Sequence, residues 1–229
     1  MIIGNGLLAN AFREHFLNNC EVFIFASGVS NSGENSGAAF EREKILLSQA
    51  LKDSRGATLV YFSTCSIEDP DMQSTPYVRH KIAMEKLIED ADSYFIFRLP
   101  QVVGVTKNPY TLTNFLYKRI SENESFKVWK QAKRNLIDVE DIVKIAIYFI
   151  EHYTSRKTIN IANLYPVTIL EIVRIFEAVL DKFAKYELID AGSSYGIDII
   201  LDSDLLNQLN INFGEYYYER LIKKYYGKY

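Results

Sequence analysis

The chain opens on three apolar residues, Met1–Ile3, that stop at the turn Gly4-Asn5-Gly6. From Leu7 to Leu17 the apolar positions Leu7, Leu8, Ala11, Phe12 and Phe16 recur at helical spacing. Glu21–Ala26 carries Val-Phe-Ile-Phe without a polar break, the pattern of a strand buried on both faces. A polar loop rich in Ser, Asn and Gly fills Ser27–Gly37. Phe40–Lys52 reads as a helix with Ile45, Leu46, Ala50 and Leu51 as its apolar positions. Thr58–Phe62 is a strand and Ser63–Thr75 a polar loop. Pro76–Asp90 is a helix with Ile82, Met84, Leu87 and Ile88, and Tyr94–Phe97 a strand closed by Arg98-Leu99-Pro100. Strand and helix alternate through the first hundred residues, which predicts an α/β fold with a doubly wound parallel sheet and helices on both faces. The rest is less regular. Helices are expected over Asn114–Ile120, Glu140–Tyr153 and Ile169–Phe183 and a strand over Lys157–Ile161. The tail from Asp204 is two helical pieces broken near Asn212-Phe213-Gly214.

Composition narrows the class. The 229 residues suffice for one good core. A net charge of −3 gives no bias toward polyanions, so no nucleic-acid partner is expected. The aromatic–lysine tail Tyr216-Tyr217-Tyr218 to Lys223-Lys224-Tyr225-Tyr226 reads instead as an amphipathic closing helix that buries Leu221 and Ile222. No apolar run is long enough for a membrane span. The N-terminus is already a strand entering a turn, without the basic region of a leader, so a cytoplasmic protein is expected. Cys20 and Cys65 lack paired spacing and read as reduced core or near-core thiols. His15, His80 and His152 have no metal-ligand spacing. No metal is expected, and all three are read as surface or interface residues, with His80 facing away from Tyr77 and Lys81.

Two motifs carry chemistry. Gly4-Asn5-Gly6-Leu7-Leu8-Ala9 fits G-x-G-x-x-A between a strand and a helix. Glycine permits the tight turn and the close approach of a pyrophosphate, and the helix N-terminus stabilises the anion. The alternative is a plain strand-to-helix turn. Tyr77-Val-Arg-His-Lys81 puts a phenol and an ammonium one turn apart on a helix face. The ammonium is expected to lower the phenol pKa from about 10 toward working pH. Ser63 and Thr64 stand where a central parallel strand ends, the side on which ligands bind in such sheets.

These residues, in this order, resemble the extended short-chain dehydrogenase/reductase family, in particular its NAD-dependent nucleotide-sugar epimerases, dehydratases and reductases. Phe25-Ala26-Ser27-Gly28 resembles the family's H-x-A-[AG] strand end. Tyr61-Phe62-Ser63-Thr64 resembles its strand ending in Ser-Ser/Thr, and Tyr77 to Glu85 its Tyr-x-x-x-Lys helix. Arg98 to Gly104 resembles its Arg-x-x-x-Val-Tyr-Gly strand, and Arg134 to Asp141 its R-x-F-I-x-V-D-D stretch. The resemblance implies a Rossmann-like cofactor-binding core over 1–105 and a mixed α/β substrate-binding region over 106–229 that closes onto it. It implies NAD or NADP as cofactor and a nucleotide-sugar substrate, and it allows a homodimer. Tyr77 is then the acid/base, Lys81 orients the nicotinamide ribose and tunes Tyr77, and Thr64 hydrogen-bonds the reacting oxygen. Gly4, Asn5, Gly6, Leu7, Leu8, Ala26, Ser27, Ser63, Pro100 and Val102 border the cofactor, and Gln101 and Arg134 the substrate.

The chain departs from the family in one large respect. About twenty residues separate Gly6 from Ala26, far fewer than the family has, whereas the Ala26–Thr64 distance is ordinary. The second and third strands are therefore expected to be missing, and with them the acidic residue that holds the adenosine ribose. Ile3 replaces the first glycine of the usual phosphate turn, and Glu68 stands where Tyr is common. Cys65-Ser66 takes the place of a dehydratase's acidic pair, which disfavours 4,6-dehydration. The expected activity is a reductase or epimerase of surface-polysaccharide sugar synthesis, with weakened cofactor affinity. The competing readings are a Rossmann-like binding protein or partner subunit without turnover.

Overall fold

The computed structural model describes residues 1–227 apart from 55 and 193. The chain divides into two compact units, 1–99 with 139–161 and 197–200, and 100–138 with 162–196 and 201–229. Elements are numbered along the chain. The first unit holds β1 (Ile2–Ile3), α1 (Leu7–Phe16), β2 (Val22–Phe25), α2 (Gly37–Asp53), β3 (Thr58–Thr64), α3 (Pro76–Glu89), β4 (Tyr94–Leu99), α5 (Val139–His152) and β9 (Lys157–Asn160).

Its sheet is entirely parallel, in the order β1-β2-β3-β4-β9. The Val-Phe-Ile-Phe run of β2 is buried at every position, as its unbroken apolar pattern requires. Phe23, Phe25, Leu59, Tyr61, Tyr94 and Ile96 form one face, covered by Leu47 and Ala50 of α2 and by Met84 and Ile88 of α3. The alternate residues face the other way. Phe62 meets Phe12 of α1 with ring centroids 5.1 Å apart, and α1 packs with α5.

This arrangement has a topological consequence. The steps β1→β2, β2→β3 and β3→β4 all move the same way across the sheet, yet α1 lies over one face and α2 and α3 over the other. Connections that move alike over opposite faces have opposite hands. With α2 and α3 following the near-universal right-handed crossover, β1-α1-β2 is left-handed. In the usual strand order 3-2-1-4-5-6, α1 leads outward to a strand beyond β1. Here no described strand lies beyond β1, α1 keeps its face, and the chain returns to β2. The missing strands inferred from the spacing thus correspond to an open β1 edge and the left-handed β1-α1-β2 connection.

In the second unit β5 (Gln101–Val103) pairs in parallel with β8 (Leu136–Asp138), and β6 (Ser125–Trp129) with β11 (Lys185–Ile189). The pair β7 (Lys133–Arg134) and β10 (Val167–Thr168) is antiparallel. The helices are α4 (Leu112–Ser121), α6 (Ile169–Leu180), α7 (Ser203–Gln208) and α8 (Tyr217–Tyr226). Thr168 and Glu171 form a capping box that starts α6, and Asp181 in the left-handed conformation ends it, short of the expected Phe183. α8 buries Leu221 and Ile222 as its amphipathic pattern predicted, and it packs on α6. Within this unit Asp138 accepts from Lys224 Nζ at 2.9 Å and from Tyr225 OH at 2.7 Å, which pins α8 to β8.

The buried face of α2 differs from expectation. Glu43, Leu47 and Ala50 are its buried residues, whereas Ile45 is 60% exposed. Cys20 is exposed rather than near-core, while Cys65 is buried with its thiol on the Arg98 carbonyl at 3.3 Å. Among the described residues no helix is long and apolar enough to cross a membrane.

Candidate active site

β1 and β2 lie side by side, and the connections that leave their carboxyl ends go to opposite faces of the sheet. Such a divergence opens a crevice outside the strand ends. The first wall is Gly4–Leu8. Gly4 has φ +125°, and a Cβ there would lie 2.4 Å from the Ala26 carbonyl oxygen, so only glycine fits. Arg13 donates to the Gly4 carbonyl at 3.0 Å and Asn10 to that of Asn5 at 3.2 Å, which fixes the turn from behind. Nothing lies within 4 Å of a Cβ built on Gly6. α1 starts there without a side-chain cap and without an acidic residue in its first turn. Its N–H groups and dipole therefore suit an anion.

Ala26 and Ser27 continue from β2, with the Ala26 N–H on the Ile3 carbonyl at 2.8 Å. Arg42 of α2 donates to the Ser27 carbonyl at 3.2 Å. Beyond them Gly28 passes directly over the interior of the site, where an added Cβ would meet Glu43 Oε1 and Lys81 Nζ, each at 2.8 Å.

β3 delivers Ser63 and Thr64. Thr64 Oγ1 accepts from the Ser66 N–H at 3.1 Å and starts a short 3-10 turn. The Ser63 hydroxyl is buried and has no hydrogen-bond partner among the described residues. α3 begins with Thr75 as N-cap and Pro76 in the first turn, which sets the helix phase so that Tyr77 and Lys81 both face inward. They are 7% and 2% exposed. Glu85, one turn further on, takes Arg98 in a two-pronged ion pair at 3.0 and 2.6 Å.

The centre of the site is a carboxylate the sequence reading did not single out. Glu43 is fully buried and accepts from Tyr61 OH at 2.6 Å, Lys81 Nζ at 3.0 Å and the Val29 N–H at 2.6 Å, with His80 Nε2 at 2.9 Å. Lys81 Nζ also donates to Tyr61 OH at 3.1 Å. Burial alone would raise the Glu43 pKa, but His80, Lys81, Tyr61 and Val29 outweigh it and hold the carboxyl at about 2. Burial pushes the Tyr61 phenol well up and the Lys81 ammonium down, the latter partly offset by Glu43.

Two expectations are corrected here. His80 is not turned away from the site; it reaches Glu43 and stacks on Phe40 with ring centroids 4.7 Å apart. Nor does Lys81 bring Tyr77 toward neutral pH. Burial first, and then the Glu43 and Cys65 charges, raise the Tyr77 pKa to about 12, with only Thr64 pulling it down. The Lys81 charge is engaged by Glu43, and its Nζ lies 6.0 Å from the centre of the Tyr77 ring. The signal for Glu43 was present in the sequence: it falls four residues before Leu47 and seven before Ala50, a charge on an apolar stripe. Pro100, Gln101, Val102 and Arg134 belong to the second unit. There the Gln101 N–H donates to the Asn135 carbonyl at 3.1 Å and Arg134 donates to the Lys133 carbonyl at 2.8 Å.

A parallel α/β sheet with a glycine turn, an open helix N-terminus and an inward Tyr–Lys pair defines a dinucleotide-type α/β enzyme fold. The residues present fit the phosphate and nicotinamide–ribose part of a dinucleotide: an uncapped helix end, a glycine with open space above it and an orphaned Ser63 hydroxyl. No described strand pairs beyond β1 to wall the adenosine. Comparison with known proteins makes the class specific. Residues 4–162 match the model of the NAD dependent epimerase/dehydratase family, and the chain belongs to that family. No curated protein sequence matches the chain. Among solved structures, the Bacillus cereus UDP-glucuronic acid 4-epimerase in complex with UDP-glucuronic acid and NAD superposes with a TM-score of 0.69 at 16% identity, covering 97% of this chain and 77% of that one. The Thermus thermophilus UDP-glucose 4-epimerase complex with NAD gives 0.69 at 15%, covering 96% and 80%. RMD from Pseudomonas aeruginosa complexed with NADPH gives 0.65 at 14%, covering 89% and 81%. The sequence-based expectations of an NAD-dependent enzyme of this class and of a Rossmann-like α/β fold are thereby met.

Proposed function

We propose that the protein is an NAD(P)-dependent sugar-nucleotide epimerase or reductase, serving surface-polysaccharide sugar synthesis, in which Tyr77 is the acid/base. The observation that carries the reading is the placement of Tyr77 and Lys81, both buried one turn apart on α3, with Thr64 beside Tyr77 at the carboxyl end of β3. The substrate class is supported by the nucleotide-sugars named with the similar structures.

Gly4–Leu8 and the N-terminus of α1 hold the pyrophosphate, and Ala26, Ser27 and Ser63 border the nicotinamide side. The bound nicotinamide supplies the site for hydride transfer at a sugar carbon. Tyr77 Oη gives or takes the proton of the sugar oxygen, and Thr64 Oγ1 hydrogen-bonds that oxygen and fixes its position. Lys81 orients the ribose through its remaining N–H. Pro100 and Val102 contact the cofactor, and Gln101 and Arg134 the substrate, where the planar guanidinium suits a diphosphate. With a phenol that starts protonated at neutral pH, the direction served best is proton donation to a carbonyl.

A second reading, a binding or partner subunit without turnover, is favoured by the open β1 edge, which leaves the adenosine without a wall. A Tyr77→Phe variant separates the two. The enzyme reading expects turnover of a UDP- or dTDP-sugar to fall at least about 100-fold, the usual contribution of a positioned acid/base. Unaltered turnover in Tyr77→Phe would refute the assignment. Absence of turnover and of cofactor binding in the parent protein would favour the partner subunit.

A further inference from the structure

Lys81 is assigned a role toward Tyr77 and the ribose, yet its ammonium is tied to the interior of the unit. Two of its three N–H groups are spent on Glu43 Oε1 and Tyr61 OH. The carboxylate that holds it also holds the Val29 N–H on the loop after β2, so α2, β3, α3 and the crevice loop meet at one buried charge. Gly28 lies against the pair, where a side chain would force it apart.

We propose that Glu43 is a positioning residue: it draws the Lys81 ammonium toward α2 and away from the Tyr77 phenol, and so keeps Tyr77 a proton donor. This rests on the reading of Tyr77 as acid/base. The charged and titratable groups around Tyr77 are limited in number. α2 presents Glu43, β3 presents Tyr61, and α3 presents His80, Lys81 and Glu85. The 3-10 turn after β3 presents Cys65 and Glu68, and β4 presents Arg98, which is committed to Glu85. Glu43 anchors two of these groups, Lys81 and His80, and it is the Lys81 Nζ that lies 6.0 Å from the centre of the Tyr77 ring. Combined with Glu43→Gln, Lys81→Met removes the released ammonium, which separates the effect of that ammonium from the effect of losing the carboxylate.

The test requires neither cofactor nor substrate, so its failure is distinct from failure of the proposed function. Protein labelled with carbon-13 at the tyrosine ζ position is titrated from neutral pH into the alkaline range. The Tyr77 signal is assigned by its loss in Tyr77→Phe. In the parent protein that signal is expected to stay in its protonated position across the range in which ordinary tyrosines titrate. In Glu43→Gln it is expected to titrate with a midpoint lowered by at least about one pH unit, as an ammonium brought near a phenol shifts it. In Glu43→Gln/Lys81→Met the shift should shrink to less than half, because the released ammonium is gone. Glu43→Asp, which keeps the buried charge and retracts it from Lys81, should lower the midpoint to a lesser extent and serves should Glu43→Gln not fold. A Tyr77 midpoint unchanged in both Glu43 variants, or a full shift that persists without Lys81, would overturn the proposal.

Discussion

Replacing Lys81 with Met removes a buried cation and leaves Glu43, which is fully buried, with three partners instead of four. The pKa of Glu43 bounds what its four partners supply together, and the cost of breaking a buried ion pair gives the size of the Lys81 effect. A carboxyl held at about 2 against its ordinary 4.5 stabilises the fold by about 3 kcal/mol at neutral pH, at about 1.4 kcal/mol per pH unit. Because this pKa is depressed, the contribution is fully present above 4.5 and is lost as the pH falls through 2. Breaking a buried ion pair from one side costs about 3–5 kcal/mol in general. Burial lowers the Lys81 pKa, so ionising Lys81 itself costs the fold, and the remaining partners still serve Glu43. Both considerations place Lys81→Met at the lower end, about 3 kcal/mol. Glu43→Gln/Lys81→Met removes both charges and is expected to recover to within about 2 kcal/mol of the parent, since a buried pair replaced as a unit is close to neutral. Equilibrium urea unfolding at pH 7 of the parent, each single variant and the double variant measures the cycle. A Lys81→Met cost below about 1 kcal/mol, or a double variant less stable than both singles, would refute the account of the network.

The two turn glycines should separate fold from function. Gly4→Ala is strained by φ +125° and by the Ala26 carbonyl, and is expected to cost about 2–3 kcal/mol in thermal or urea unfolding. Gly6→Ala has open space, so its stability should change by less than about 1 kcal/mol while NADH binding, read by nicotinamide fluorescence, weakens because the new methyl stands in the anion's approach. Arg98→Met leaves the nearly buried Glu85 without its two-pronged partner and should destabilise by about 2–4 kcal/mol. Arg98→Met/Glu85→Leu should regain most of that, and a melting point unchanged in Arg98→Met would contradict the pairing.

The sheet of the first unit was legible because its strands are unbroken apolar runs between turn residues: Val22–Phe25, Leu59–Phe62 and Tyr94–Phe97 need no tertiary context to be read. Its topology was only half legible. Spacing indicated two absent strands, but the hand of β1-α1-β2 follows from which faces of Phe12 and Phe62 meet, and no local pattern encodes that. Of the short strands of the second unit, β5 was read through the family resemblance of Arg98 to Gly104, whereas β6 and β11 were not read. All six described strands of that unit have five residues or fewer, although Ser125–Trp129 alternates exposed and buried positions and offered a period-two signal. At the site, residue identities and their helix phase were readable, since four-residue spacing fixes a shared face. The charge balance was not, because it depends on Glu43 arriving from α2, 38 positions before Lys81. A rule that flags any carboxylate on an apolar helical stripe would have found it.

The central claim is that the crevice between β1 and β2 still takes a nicotinamide dinucleotide without an adenosine wall. The most direct measurement is a titration of the purified protein with NAD(H) and NADP(H), followed by nicotinamide fluorescence and by calorimetric heat. The account expects saturable binding that Gly6→Ala weakens. No binding at millimolar cofactor would contradict it and would leave the fold as a binding or partner subunit.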